Sequence, residues 1–119
     1  MRGSLTSMRF HGERVEMSAA AELKSYERMV GYLPEGIESN GEMENILDGR
    51  DLIEESMQEL SPTERDRLRK ADSRLRKYAA QVDARFGEDI RRYRERATKP
   101  ADYWWWFPER VVRKSGVAA

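Results

Sequence analysis

"LSPTERDRL", residues 60–68, decides how the chain is to be read. Ser61 has the short hydroxyl of an N-cap, Pro62 suits the first helical position, and Glu64 stands three residues past the cap. In that arrangement the Ser61 hydroxyl accepts from the Glu64 backbone N–H, and the Glu64 carboxylate accepts from the N–H of Ser61. The sequence therefore predicts a helix that starts here. Its apolar positions follow as Leu68, Ala71, Leu75, Tyr78, Ala79, Val82, Phe86, Ile90 and Tyr93, a spacing close to 3.6 residues. Arg85 and Asp89 fall where a strict heptad needs apolar side chains, which argues against a long two-stranded coiled coil.

An unbroken helix over 62–97 would be about 54 Å long. A compact chain of this length has a radius of gyration of only about 13–14 Å. The helix must project or break, and "FGED" at 86–89 offers the place. Gly87 can serve as a C-cap, and Glu88 and Asp89 favour a new N-terminus. Pro100 closes the helical region. Beyond it, "PADYWWWFPER" (100–110) places all three tryptophans side by side and is expected to form an extended hook. Residues 111–119 are expected to be a disordered tail.

Towards the N-terminus, "ILDGRDLIEESMQEL" reads as a short acidic helix over 46–60, with Ile46, Leu47, Leu52, Ile53, Met57 and Leu60 available for burial. Before it, "PEGIESNGEMEN" reads as an acidic loop, because Asn40-Gly41 is a strong turn dipeptide. Ser18 is expected to cap a helix over 18–33 with the stripe Ala19, Leu23, Tyr26, Met29, Val30 and Leu33. Residues 1–17 are expected to be a flexible arm. "MRFHGERVEM" alternates weakly and could form a short strand, with Gly12 and the high polarity weighing against it. Met8 and Met17 each offer a start for a shorter chain, so residues 1–16 need not be native. The expected architecture is all-α: a small helical bundle over 18–110 with one long basic helix, bent or broken near Gly87, and the aromatic hook.

Composition narrows the function. Hydrophobic residues make up 39% and charged residues 37% of the 119 positions, against roughly 45–50% and about 25% in typical domains. The core should be thin, and a partner or second copy could complete it. There is no cysteine, which removes thiol chemistry and Cys-type zinc sites and suits a reducing cytoplasm, the expected location. No apolar run approaches the roughly 20 residues of a membrane span. His11 is the single histidine, and no phosphate loop, nucleophile elbow or metalloprotease motif occurs. Asp51, Glu55 and Glu59 are spaced to face a cation, but no Glu-x-x-His pair accompanies them. The chain is not expected to be an enzyme or to carry a cofactor or metal.

The zero net charge conceals a segregation, with −7 over residues 1–60 and +7 over 61–119. The acidic half folding onto the basic half would explain it, as would a charged partner. Two groups are candidate contacts. Tyr103, Trp104, Trp105, Trp106 and Phe107 either wrap back over the helices to complete the thin core or form an aromatic anchor of the kind that dominates interface hot spots, and the two can coexist. In an extended segment Trp104 and Trp106 would point inward and Trp105 outward. Arg65, Arg69, Arg74, Arg76 and Lys77 form a basic face for nucleic acid or an acidic partner. No zinc-finger, RRM or KH pattern supports nucleic acid.

"LSPTERDRLRKADSRLRKYAAQV" followed by "PADYWWWFPERV" resembles small bacterial proteins, frequent in cyanobacteria, that carry an "LSPEER…EAD" helix and a "SHWWWYLD"-type tail. The resemblance spans about residues 55–110 and implies an antitoxin-like partner of a small toxin. Here Asp102-Tyr103 replaces the Ser-His pair and Phe107-Pro108 the tyrosine-leucine. The leading expectation is a non-enzymatic protein-binding inhibitor. The alternatives are a nucleic-acid-binding protein using 65–77 and a helical protein that associates with its own copies.

Overall fold

The computed structural model describes the backbone of residues 8–10 and 13–15 and all of 17–115, apart from the side chain of Ser115. It is a compact helical fold with a radius of gyration of 14.0 Å. Two short strands, β1 (Met8–Phe10) and β2 (Glu13–Val15), pair antiparallel with Met8 opposite Val15, so the polarity of this stretch does not prevent pairing. Apart from Met17, the rest of the expected arm lies outside the described residues.

The first helix, α1 (Ala19–Val30), starts where Ser18 accepts from the Ala21 N–H at 3.1 Å. It buries Ala19, Leu23, Tyr26 and Val30, as its apolar stripe requires. The second, α2 (Asn40–Glu55), begins six residues before the expected 46. Ser39 caps it by accepting from the Glu42 N–H at 3.1 Å, and the Glu42 carboxylate accepts from the N–H of Glu38 at 2.7 Å. That cap wins over the turn preference of Asn40-Gly41, because it draws Met43, Ile46, Leu47 and Ile53 into the core. A 3₁₀ turn over Met57–Glu59 leads to Leu60 and the capping box.

The box forms as read, with Ser61 and Glu64 exchanging bonds of 3.1 and 2.8 Å. The expected single long helix does not. It divides into α3 (Pro62–Lys77) and α4 (Ala79–Arg96) at Tyr78, not at Gly87. Tyr78 leaves helical geometry at φ −105° and ψ 19°. At this level Leu75, Ala79 and Val82 receive Trp104, Trp105, Pro108 and Val111. The break therefore sits where the aromatic segment packs. Gly87 is buried inside α4, and a Cβ there would strike the Asp83 carboxylate, which pairs with Arg91 at 3.8 Å.

After α4 the chain reverses through Thr98 at φ 55°. The Lys99 N–H bonds the Arg94 carbonyl at 2.9 Å and the Thr98 N–H bonds Glu95 at 3.3 Å, the two bonds of a Schellman motif. The aromatic segment that follows is no extended hook. Trp104–Trp106 form a 3₁₀ turn that runs into α5 (Pro108–Ser115). The expected disordered tail is thus helical through Ser115, while 116–119 lie outside the described residues. Among the described residues no helix is long and apolar enough to cross a membrane.

Candidate functional site

The tryptophans are organised by one carboxylate that the sequence reading had considered only as a cation ligand. Asp51, buried on α2, accepts at Oδ1 from Trp105 Nε1 at 2.7 Å and from Trp106 Nε1 at 2.8 Å. Its Oδ2 accepts from Lys99 Nζ at 2.7 Å, and Lys99 also reaches Asp48 at 3.1 Å. Burial pushes the Asp51 carboxyl upward, against the pull of these three donors. Burial works against the Lys99 charge, but the bonds and charges of Asp51 and Asp48 together outweigh it and hold Lys99 above its ordinary value.

A second network lies beside the first. Asp72 of α3 takes both Arg50 Nε and Nη2 at 3.0 Å and the Tyr26 hydroxyl at 2.6 Å. Burial, reinforced by the Asp72 charge, pushes the Tyr26 phenol well above its usual range. The Arg50 guanidinium also lies 4.3 Å from the Trp105 ring centre. Trp105 is further packed by Tyr103, stacked at 4.7 Å, and by the edge-on Trp104 at 5.6 Å. Trp106 stacks on Tyr93 at 5.2 Å. Arg94 holds the Trp106 carbonyl at 2.8 Å and the Glu109 carboxylate at 2.9 and 3.0 Å, which ties α5 to α4.

These contacts sort the expected aromatic anchor. Trp105 is 4% exposed, Trp106 0% and Phe107 7%, so all three belong to the core. Tyr103 and Trp104 are half-buried. Trp104, not Trp105, is the tryptophan with an open side, because a 3₁₀ turn rotates successive side chains by about 120° instead of alternating them.

The open side of Trp104 borders a groove of about 880 Å³. Trp104, Phe107, Val111 and Ala101 supply its apolar lining. Its rim carries Arg76 from α3 and Arg110, Arg113 and Lys114 from α5, against the single carboxylate of Asp102. Among the described residues none of these four cations forms an ion pair. Arg76 instead lies 4.0 Å over the Trp104 ring and Arg110 lies 4.1 Å over Phe107. Elsewhere many basic groups are engaged within the fold, as in Arg50–Asp72, Arg67–Glu27 and Arg94–Glu109.

The expected basic face of α3 is divided in the same way. Arg65 donates to the Met57 carbonyl at 3.0 Å, and Arg69 pairs with Asp66. Arg74 donates to the carbonyls of Val30, Gly31 and Leu33. Lys77 is exposed beside Tyr78. Of the five, only Arg76 lines the groove. The reading missed Arg113 and Lys114 because it ended the fold at 110, and it passed over Arg110 because it took only the aromatic residues of the 100–110 segment as contacts. "PERVVRKS" held the signal, with proline at a helix start, glutamate in the first turn and basic residues in the last. Among the described residues no group of His, Cys, Asp and Glu side chains is placed to hold a metal ion. No protein-family model, curated protein or solved structure matches the chain.

Proposed function

We propose that the protein is a non-enzymatic binding module that docks an acidic segment of a partner protein in the Trp104 groove. An antitoxin-like inhibitor of a small toxin, as the sequence resemblance implies, is one form of this activity. The observation that carries the reading is the set of four cations around an apolar floor, none of which forms an ion pair among the described residues. Unpaired charge at an interface rim steers an oppositely charged partner and fixes its orientation. An aromatic or aliphatic residue of that partner would cover Trp104 and Val111. A bare π-face would suit stacked nucleic-acid bases better, but Arg76 covers the Trp104 ring.

The test is titration of a fluorescent acidic peptide containing tyrosine into wild type and into an Arg110→Glu/Arg113→Glu variant. Each exposed ion pair contributes about 0.2–1 kcal/mol. Reversing two charges replaces attraction with repulsion and should weaken binding about tenfold or more, roughly 1.4 kcal/mol. Equal affinity in the two proteins would refute the groove as the docking surface. Stronger retention of a single-stranded oligonucleotide of equal charge would move the reading to nucleic acid.

A further inference from the structure

The connector between α1 and α2 has the chemistry that the groove would accept. Tyr32 is 48% exposed, the one large hydrophobic side chain so placed among the described residues. Glu35 and Glu38 stand exposed beside it, and neither forms an ion pair among the described residues. The connector also has a fixed shape. Arg74 holds the Val30 carbonyl at 2.9 Å and the Leu33 carbonyl at 2.7 Å, and the Gly36 N–H bonds the Tyr32 carbonyl at 2.7 Å. Leu33 and Ile37 anchor it in the core. It is therefore a preordered acidic knob with one aromatic side chain.

Knob and groove do not meet within one chain. Arg74 grips the knob and Arg76 borders the groove, and residues two apart on a helix point about 200° away from each other. The two surfaces flank α3 on opposite sides. We infer that the groove of one copy receives the Tyr32–Glu38 knob of a second copy, so that self-association occupies the docking site and competes with the partner. This rests on the groove being a docking surface and names an occupant for it. Tyr32 supplies the aromatic group for the apolar floor, and Glu35 and Glu38 supply carboxylates for Arg110, Arg113 and Lys114. The contact joins two different patches, so it closes as a reciprocal dimer or continues as a chain of copies.

Sedimentation velocity of the full chain tests this. At about 0.1 M salt the mass should rise above the 13.9 kDa monomer as protein approaches the millimolar range, and about 1 M salt should reverse the rise. Arg110→Glu/Arg113→Glu and Glu35→Lys/Glu38→Lys should each be monomeric alone, with circular dichroism showing an intact fold. Mixed in equal amounts they should associate again, because reversed groove meets reversed knob. A wild-type chain that stays monomeric at about 1 mM, or either variant associating as wild type does, overturns the inference. If the chain is monomeric but the acidic peptide still binds the groove, only the self-contact is wrong. If neither association nor peptide binding occurs, the docking reading falls with it.

Discussion

Replacing Asp51 by asparagine tests whether the aromatic segment is held in the core by a single carboxylate. The side chain keeps its size but loses its charge and one acceptor. Its carbonyl oxygen can still accept from Trp105 and Trp106, although these bonds become neutral and about half as strong. The amide NH₂ now faces Lys99, so a bond to a charged group worth about 1.5–3 kcal/mol is replaced by two opposed donors. Asp48 still partners Lys99, which limits the damage. Adding a loss of roughly 0.5–1 kcal/mol for each weakened indole bond gives a total of about 2.5–5 kcal/mol, which overlaps the range for breaking a buried ion pair. Against a typical stability of about 5–15 kcal/mol, that is a large fraction. Urea unfolding followed by tryptophan fluorescence and circular dichroism would measure it. Lys99→Met alone and in combination completes a double-mutant cycle, and the double variant should lose less than the sum of the singles. A loss below about 1 kcal/mol for Asp51→Asn, or strict additivity, would refute the reasoning and release the tryptophans from their core role.

Three further outcomes follow from the same contacts. Trp106→Ala should cost about 3–5 kcal/mol in chemical denaturation, and Trp104→Ala clearly less, since only Trp104 has an open side; equal losses would contradict this assignment. Thr98→Gly should stabilise by roughly 1 kcal/mol, because a β-branched residue is strained at φ 55°; a lower melting temperature would argue against that geometry. Burial, then the bond and charge of Asp89 and the charge of Asp48, pushes Glu44 from its ordinary 4.5 up to about 7. The folded chain therefore holds this proton more tightly than the unfolded chain. Stability should fall as pH rises from about 4.5 to about 7, and Glu44→Gln should flatten that part of the profile.

Local signals were legible where local chemistry decides the structure. Ser61 and Glu64 form their box, Ser18 caps α1, and the stripe from Leu68 to Ile90 is buried with the expected period apart from the half-buried Tyr78. The misreadings came where distant contacts override a local preference. Gly87 looked like a helix end, yet its missing Cβ makes room for the Asp83 side chain. Tyr78 carries no breaker signal, and the chain bends there where the aromatic turn packs on α3 and α4. The tryptophans could not be oriented from sequence because their common acceptor, Asp51, lies 54 and 55 residues away. The groove was half legible: Arg76, Trp104 and Phe107 were among the candidates, while α5 from Val111 onward lay in what read as a tail.

The most direct measurement is a ¹H–¹⁵N spectrum of the three indole N–H groups during titration with the acidic tyrosine peptide. The account predicts that Trp105 and Trp106, bonded to Asp51, exchange slowly with solvent and hold their positions. Trp104 should exchange faster and shift progressively with peptide, and Arg110→Glu/Arg113→Glu should move that shift to about tenfold higher peptide concentration or beyond. If Trp105 and Trp106 exchange as fast as Trp104, or if they move with the peptide while Trp104 does not, the division between buried core and docking groove is wrong.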